Sequence, residues 1–289
     1  MKLEGKRIIV TGGTGFIGSH LVKKLNSIEA NVGFLEKDRK RIDVRDWDSI
    51  KVSEGADIVY HLAAIAKVPY SFDNPRETLE VNVIGTLNIL EFCRIKDIKR
   101  MIFISSYVYG RPQYIPIDEK HPLSPLNPYA ESKVIGEELC RGYSRDYDIN
   151  CTVLRPFNIY GEGQRKGNLI PDIINQLEKG KIELKDPKPK RDILYIGDLI
   201  EGFVSAGKSD LQGFEIFNLG YGKSYSVKDI VDKIIDIYGK KIEVQYSKER
   251  RKHEIMDTVA DIGKAKKMLD WRPNVEIDDG LKRTMYKSL

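Results

Sequence analysis

The sequence predicts an α/β chain: a doubly wound parallel sheet followed by a smaller C-terminal α/β lobe. Two patterns carry this reading. Strand-like apolar runs at 7–11, 32–36, 57–62, 100–105 and 150–155 alternate with helical spacing near 16–28, 75–95 and 129–146, and such alternation buries a parallel sheet between two layers of helices. Around Pro156 the pattern changes. Loops lengthen, as in Gly161-Glu162-Gly163-Gln164 and Asp186-Pro187-Lys188-Pro189-Lys190, and the following strands and helices are shorter. We assign 1–165 with 192–222 to the sheet domain and 166–191 with 223–289 to the smaller lobe.

The first strand and helix are the most informative elements. The run Ile8-Ile9-Val10 leads into Gly12-Gly13-Thr14-Gly15-Phe16-Ile17-Gly18, and Phe16, Ile17, Leu21, Val22 and Leu25 then recur at helical spacing. Glycines supply the positive φ of a tight turn and let backbone approach a pyrophosphate, which the N–H groups and dipole of a helix start attract. Gly12, Gly15, Phe16, Ile17 and Gly18 are therefore the candidate dinucleotide contacts of a Rossmann fold. The second strand ends in Glu36, eighteen residues after Gly18, where a carboxylate reaches the adenosine ribose hydroxyls and repels a 2′-phosphate. That favours NAD, although Lys37, Arg39, Lys40 or Arg41 could pair with such a phosphate.

The fourth strand, Met101-Ile102-Phe103-Ile104, ends in Ser105-Ser106, on the edge of the sheet that faces the cofactor. Next come Asn127, suited to cap a helix, and Pro128, suited to its first turn. Tyr129 and Lys133, four apart, then share a helix face. An ammonium and an oxidised nicotinamide both favour a phenolate, so the pair can remove or return a hydroxyl proton, and the Ser105 hydroxyl can share it.

Composition sets the remaining bounds. With 289 residues, 41% hydrophobic and 31% charged, the chain can bury both lobes. No apolar run approaches the roughly 20 residues of a membrane span. The start, Met1 to Lys6, leads straight into a strand without a signal-peptide core, so a cytoplasmic protein is expected. Cys93, Cys140 and Cys151 are widely spaced and odd in number, which reads as reduced, buried residues with no metal site. The net charge of +5 is spread along the chain; its densest cluster, Lys248-Glu249-Arg250-Arg251-Lys252, is short and contains an acid, so nucleic acid is not an expected partner.

Together these motifs resemble the extended short-chain dehydrogenase/reductase family, and within it the NAD-dependent nucleotide-sugar epimerases and dehydratases, over nearly the whole chain. The resemblance implies cofactor contacts from Asp43 and Val44 at the adenine, from Leu62, Ala63 and Ala64 at the end of the third strand, and from Asn82. It makes Ser105, Tyr129 and Lys133 the catalytic set, with Tyr129 and Lys133 also on the cofactor. Ser105, Ser106, Asn158, Asn168, Leu169, Arg191 and Arg251 fall at substrate positions, the arginines on a diphosphate. Trp271 reads as core.

Related dehydratases carry acids just after the catalytic hydroxyl, where this chain has Ser106 and Tyr107. That favours 4-epimerisation of a nucleotide-diphosphate sugar of the UDP-glucose/UDP-galactose type through a 4-keto intermediate. UDP-glucuronate or a UDP-N-acetylhexosamine as substrate, keto-sugar reduction with NAD(P), and a cofactor-sensing regulatory protein are the alternatives. Arg191 could instead form a surface ion pair with Asp192. The short link from Glu36 to Asp43 and the segment 186–190 depart from the family pattern. The resemblance also implies a homodimer paired through the helices near 75–95 and 129–146, the latter carrying Leu139, Tyr143 and Tyr147.

Overall fold

The computed structural model describes residues 2–37, 40–247, 249 and 254–286. Strand β1 (Arg7–Thr11) enters the glycine turn and helix α1 (Phe16–Ser27), and the chain returns as β2 (Asn31–Gly33). The second strand is shorter than the expected 32–36. Glu36 instead lies in a two-residue hairpin, β3 (Glu36–Lys37) with β4 (Lys40–Arg41), which fills the short link before Asp43. A short helix α2 (Trp47–Ile50), capped by the Asp46 carboxylate on Ser49 N–H, leads to β5 (Ile58–His61).

The helical stretch expected at 75–95 is interrupted. After α3 (Val68–Asp73), α4 (Pro75–Leu79) passes into a π-helical turn at Glu80–Ile84 and then α5 (Gly85–Ile95). The π turn carries Asn82, whose side chain clamps both backbone groups of Ile65 and donates to the Ser132 hydroxyl at 2.8 Å. Strand β6 (Arg100–Ile104), helix α6 (Pro128–Tyr147) and β7 (Asn150–Pro156) follow. The next elements are β8 (Asn158–Tyr160), α7 (Leu169–Leu177), β9 (Lys181–Leu184), β10 (Lys190–Tyr195) and α8 (Ile196–Lys208). The chain then forms β11 (Phe214–Leu219), β12 (Ser224–Ser226), α9 (Val227–Tyr238), β13 (Glu243–Tyr246), α10 (Gly263–Leu269) and α11 (Ile277–Tyr286).

The central sheet has the order β11-β7-β6-β5-β1-β2, with every neighbouring pair parallel. Alternate strand residues face opposite layers, the consequence of a period of two. Ile8, Val10, Ile58, Tyr60, Ile102 and Leu154 join the core that contains Leu21 and Leu25 of α1 and Phe203 and Val204 of α8. Ile9, Val59, Met101, Phe103 and Val153 join the other, with Ile89, Leu90 and Phe92 of α5 and Cys140 of α6. The chain therefore winds doubly around a parallel sheet.

The segment 192–222 supplies α8 and β11 to this body, while β10 pairs in parallel with β8 and antiparallel with β12 in a three-stranded sheet. Strands β9 and β13 form a parallel pair beside α7 and α9, which bury Ile173, Ile174 and Leu177 against Ile230, Val231 and Ile234. Trp271 is core, its indole N–H donating to Asp198 O at 2.9 Å. Among the described residues no helix is long and apolar enough to cross a membrane. Cys93, Cys140 and Cys151 are free thiols, all buried.

Candidate active site

Strand order reverses between β1 and β5: the chain moves outward from β1 to β2 and then crosses to the opposite side of β1. Ligands of such sheets sit in the crevice at the carboxyl ends of the strands on either side of this point. Here those ends are tied together. Thr11 Oγ1 accepts from Leu62 N–H and Ala63 N–H, both at 3.1 Å, and bonds His61 Nδ1 at 2.7 Å. Burial pushes His61 down to about 3, which keeps the imidazole neutral.

The glycine turn is a cradle that side chains would fill. Gly12 has φ +68°, and a Cβ on it would lie 2.7 Å from Ala63 N; a Cβ on Gly18 would lie 2.2 Å from Gly12 O. The N-cap of α1 is Gly15, without a side-chain cap, and the first turn carries no acid, so the N–H groups at Phe16 and Ile17 face an anion's place unopposed. Beside the turn, a cavity of about 210 Å³ is lined by Gly12, Phe34, Arg41, Asp43, Val44 and Ala63 among others. These residues fit an adenosine. Arg41 lies flat over Phe34, its guanidinium carbon 3.7 Å from the ring centroid. Asp43 faces this cavity already paired. Both of its oxygens accept from the Arg45 guanidinium, which holds its carboxyl below the usual range. Glu36 is described by its backbone, opposite Arg41 in the hairpin. Asn82 acts on the loop after β5 rather than lining this cavity.

Helix α6 begins as its sequence requires: the Asn127 side chain accepts from Ala130 N–H at 2.9 Å, and Pro128 takes the first position. This sets Tyr129 and Lys133 on the inward face. Lys133 is 3% exposed, donates from Nζ to Ile104 O at 2.9 Å and lies 6.0 Å from the Tyr129 ring centroid. Burial pushes its ammonium down to about 8. Burial also raises Tyr129, against a hydrogen bond with Ser106 that lowers it. Ser105 is turned the other way and donates to the carboxylate of Glu137.

Tyr129, Ser105 and Ser106 line a cavity of about 370 Å³ together with Phe16 and Ile17 of the glycine turn. Asn158, Asn168, Leu169 and Arg191 line it too, and the same four residues line a second cavity of about 390 Å³ that runs over β9 and α9. The structure thus joins Phe16 and Ile17 of the glycine turn, Tyr129, and Ser105, Ser106, Asn158, Asn168, Leu169 and Arg191 around one cavity, with Lys133 buried behind Tyr129. Arg191 does not pair with Asp192: it bonds Glu254 and donates to Ile255 O at 2.6 Å. Asp192 is buried instead, accepting from the N–H groups of Tyr221, Gly222 and Ala260. Arg251 lies outside the described residues, as does Arg39.

The comparisons agree with this geometry. The sequence profile of the NAD dependent epimerase/dehydratase family matches residues 8–220. The chain belongs to that family. A Methanocaldococcus jannaschii protein provisionally named a UDP-glucose 4-epimerase is 36% identical over 96% of this chain and 97% of its own. A UDP-glucuronate 4-epimerase of Thermodesulfobacterium geofontis is 34% identical over 85% of this chain and 77% of its own. The crystal structure of a Thermotoga maritima UDP-glucose 4-epimerase with UDP-glucose has a TM-score of 0.91 at 28% identity, covering 97% of this chain and 98% of that one. As a member of the family the chain is an enzyme whose cofactor is NAD.

Three residues of the site were not anticipated from the sequence. Thr11 ties the end of β1 to the backbone just after β5, while Glu137 and Arg155 form a buried pair behind Ser105. Glu137 repeats the four-residue spacing of Tyr129 and Lys133 and so shares their helix face, a signal that could have marked it.

Proposed function

We propose that the chain is a UDP-glucose 4-epimerase, with Tyr129 as the proton acceptor and donor at the sugar 4-hydroxyl. One observation carries the reading. Tyr129 lines a cavity with two hydroxyls, Ser105 and Ser106, Lys133 is buried one helical turn behind it, the cavity shares residues with a second, and neither Ser106 nor Tyr107 is the acid that loss of water would call for. When bound, NAD supplies the acceptor and then the donor of the hydride at C4. The Tyr129 phenolate takes the 4-hydroxyl proton as the C4–H bond breaks, leaving a 4-keto sugar. It returns the proton after the ketone has turned its other face to the cofactor. Lys133 stabilises the phenolate by its charge, and the serines hold sugar hydroxyls.

The sugar cavity also speaks for a neutral hexose. Arg191 is the one cationic side chain among its described lining residues, and it is held by Glu254 at the end that faces the second cavity, where a diphosphate would lie. Among the described residues a C6 carboxylate would have no second cationic partner there.

The proposal includes a homodimer. Ile84 on the π turn, Ile95 on α5, and Ile135 and Tyr147 on α6 are each more than 40% exposed, an apolar surface on the two helices expected to pair. The catalytic assignment is tested by Tyr129→Phe: UDP-galactose conversion should fall by about 10²–10⁴ while UDP binding changes little. Unchanged turnover would remove Tyr129 from the chemistry.

A further inference from the structure

Behind the catalytic wall runs a chain of buried polar groups. Glu137 lies two turns beyond Tyr129 on α6 and is 1% exposed. Its Oε1 accepts from Ser105 Oγ and from Arg155 Nε at 2.9 Å, and its Oε2 accepts from a terminal nitrogen of Arg155 at 2.5 Å. The other end of that guanidinium donates to the Tyr109 hydroxyl at 3.0 Å, which passes its own hydrogen to Asn218 Oδ1 at 2.6 Å. Arg155, Tyr109 and Asn218 are all essentially buried. A carboxylate out of water is costly unless it is paired and hydrogen-bonded, and here both conditions are met. The pair nevertheless does more than neutralise itself, because one of its acceptor positions is spent on Ser105.

Resting on the epimerase reading, we propose that Glu137 is a positioning residue that sets the direction of the Ser105 hydroxyl. A carboxylate only accepts, so Ser105 must donate to it, and the serine's remaining lone pair is what it can offer to the cavity it lines. In this arrangement Ser105 has no hydrogen left to offer: it accepts from a sugar hydroxyl other than the one that reacts and passes no proton to Tyr129. The tyrosine takes the 4-hydroxyl proton directly, with Ser106 as its hydroxyl neighbour. Arg155 fixes Glu137 from the far side, and Tyr109 and Asn218 fix Arg155, so the serine is oriented by groups that never meet the substrate.

The test is a double-mutant cycle on the full-length holoenzyme, using UDP-galactose as substrate and steady-state kcat and KM as readouts. Glu137→Gln should lower kcat about tenfold with KM within about twofold. In a Ser105→Ala background the same change should cost less than about twofold, since the hydroxyl it orients is gone. If Glu137→Gln does not fold, the double variant Glu137→Met/Arg155→Met removes both charges together, an exchange that buried pairs often tolerate. It should fold and again lose about tenfold in kcat, which a role confined to stability would not produce. Full kcat in a folded Glu137 variant, or a loss that is equally large without the serine hydroxyl, would overturn the proposal. Absence of conversion by the wild type would overturn the epimerase reading itself, and is seen before any variant is compared.

Discussion

Replacing Lys133 with methionine separates what the active site needs from what the fold prefers. Lys133 is held charged in a nearly dry position, with Ile104 O as its hydrogen-bond partner and the Phe103 ring centroid 4.9 Å from Nζ. Moving its ammonium from 10.5 to about 8 is worth about 3 kcal/mol against the folded state while the lysine is charged. Methionine has a similar length and no charge. It gives up one hydrogen bond, worth about 1 kcal/mol, which leaves a net gain of about 2 kcal/mol. For a chain of this size that corresponds to a rise of about 4 °C in Tm. Between about pH 8 and pH 10.5 the unfolded wild type binds the lysine proton and the folded form does not, so wild-type stability rises with pH in that window. The advantage of Lys133→Met should therefore be full at pH 7 and gone by about pH 10.5. Urea unfolding of cofactor-free wild type and variant at pH 7 and pH 10 measures it, and turnover of the variant should fall at least about a hundredfold. A variant that is less stable at pH 7, or a stability difference that is the same at both pH values, would refute the reasoning.

Three further outcomes are expected. Gly18→Ala puts a Cβ 2.2 Å from Gly12 O; the turn must open, and the cofactor that copurifies, read by mass spectrometry of the denatured protein, should be lost. Arg191→Ala should weaken UDP binding about tenfold to a hundredfold by calorimetry, the range expected for one charge-assisted hydrogen bond, with little change in bound NAD. Ile135→Glu places a charge on the exposed face of α6, and sedimentation velocity should show it shifting a dimeric wild type toward monomer without loss of bound NAD.

Much of the fold was legible because its signals are local. The strands at 7–11, 100–105 and 150–155 appear within a residue of their expected bounds, since each is a short apolar run closed by turn residues. The second strand was overestimated: Phe34 and Leu35 are apolar for reasons of packing, and the chain leaves the sheet at Gly33 to form the hairpin. The break of the long helix at Glu80–Ile84 had no composition cue. It goes with the contacts of Asn82 to Ile65 and Ser132, which lie 17 and 50 residues away in sequence. The same limit applies to the site. The spacing of Tyr129 and Lys133 is a property of one helix and could be read directly. The partner of Arg191 is 63 residues distant and that of Ser105 is 32, so neither could be read from the residues beside it in the chain.

The most direct test of the epimerase assignment is proton NMR of UDP-galactose incubated with the purified protein and no added cofactor. Tyr129, Lys133 and a glycine cradle closed by Thr11 predict conversion to UDP-glucose, sustained over many turnovers by NAD that stays bound. UDP-galactose that remains unchanged, both alone and with NAD added, would contradict the assignment.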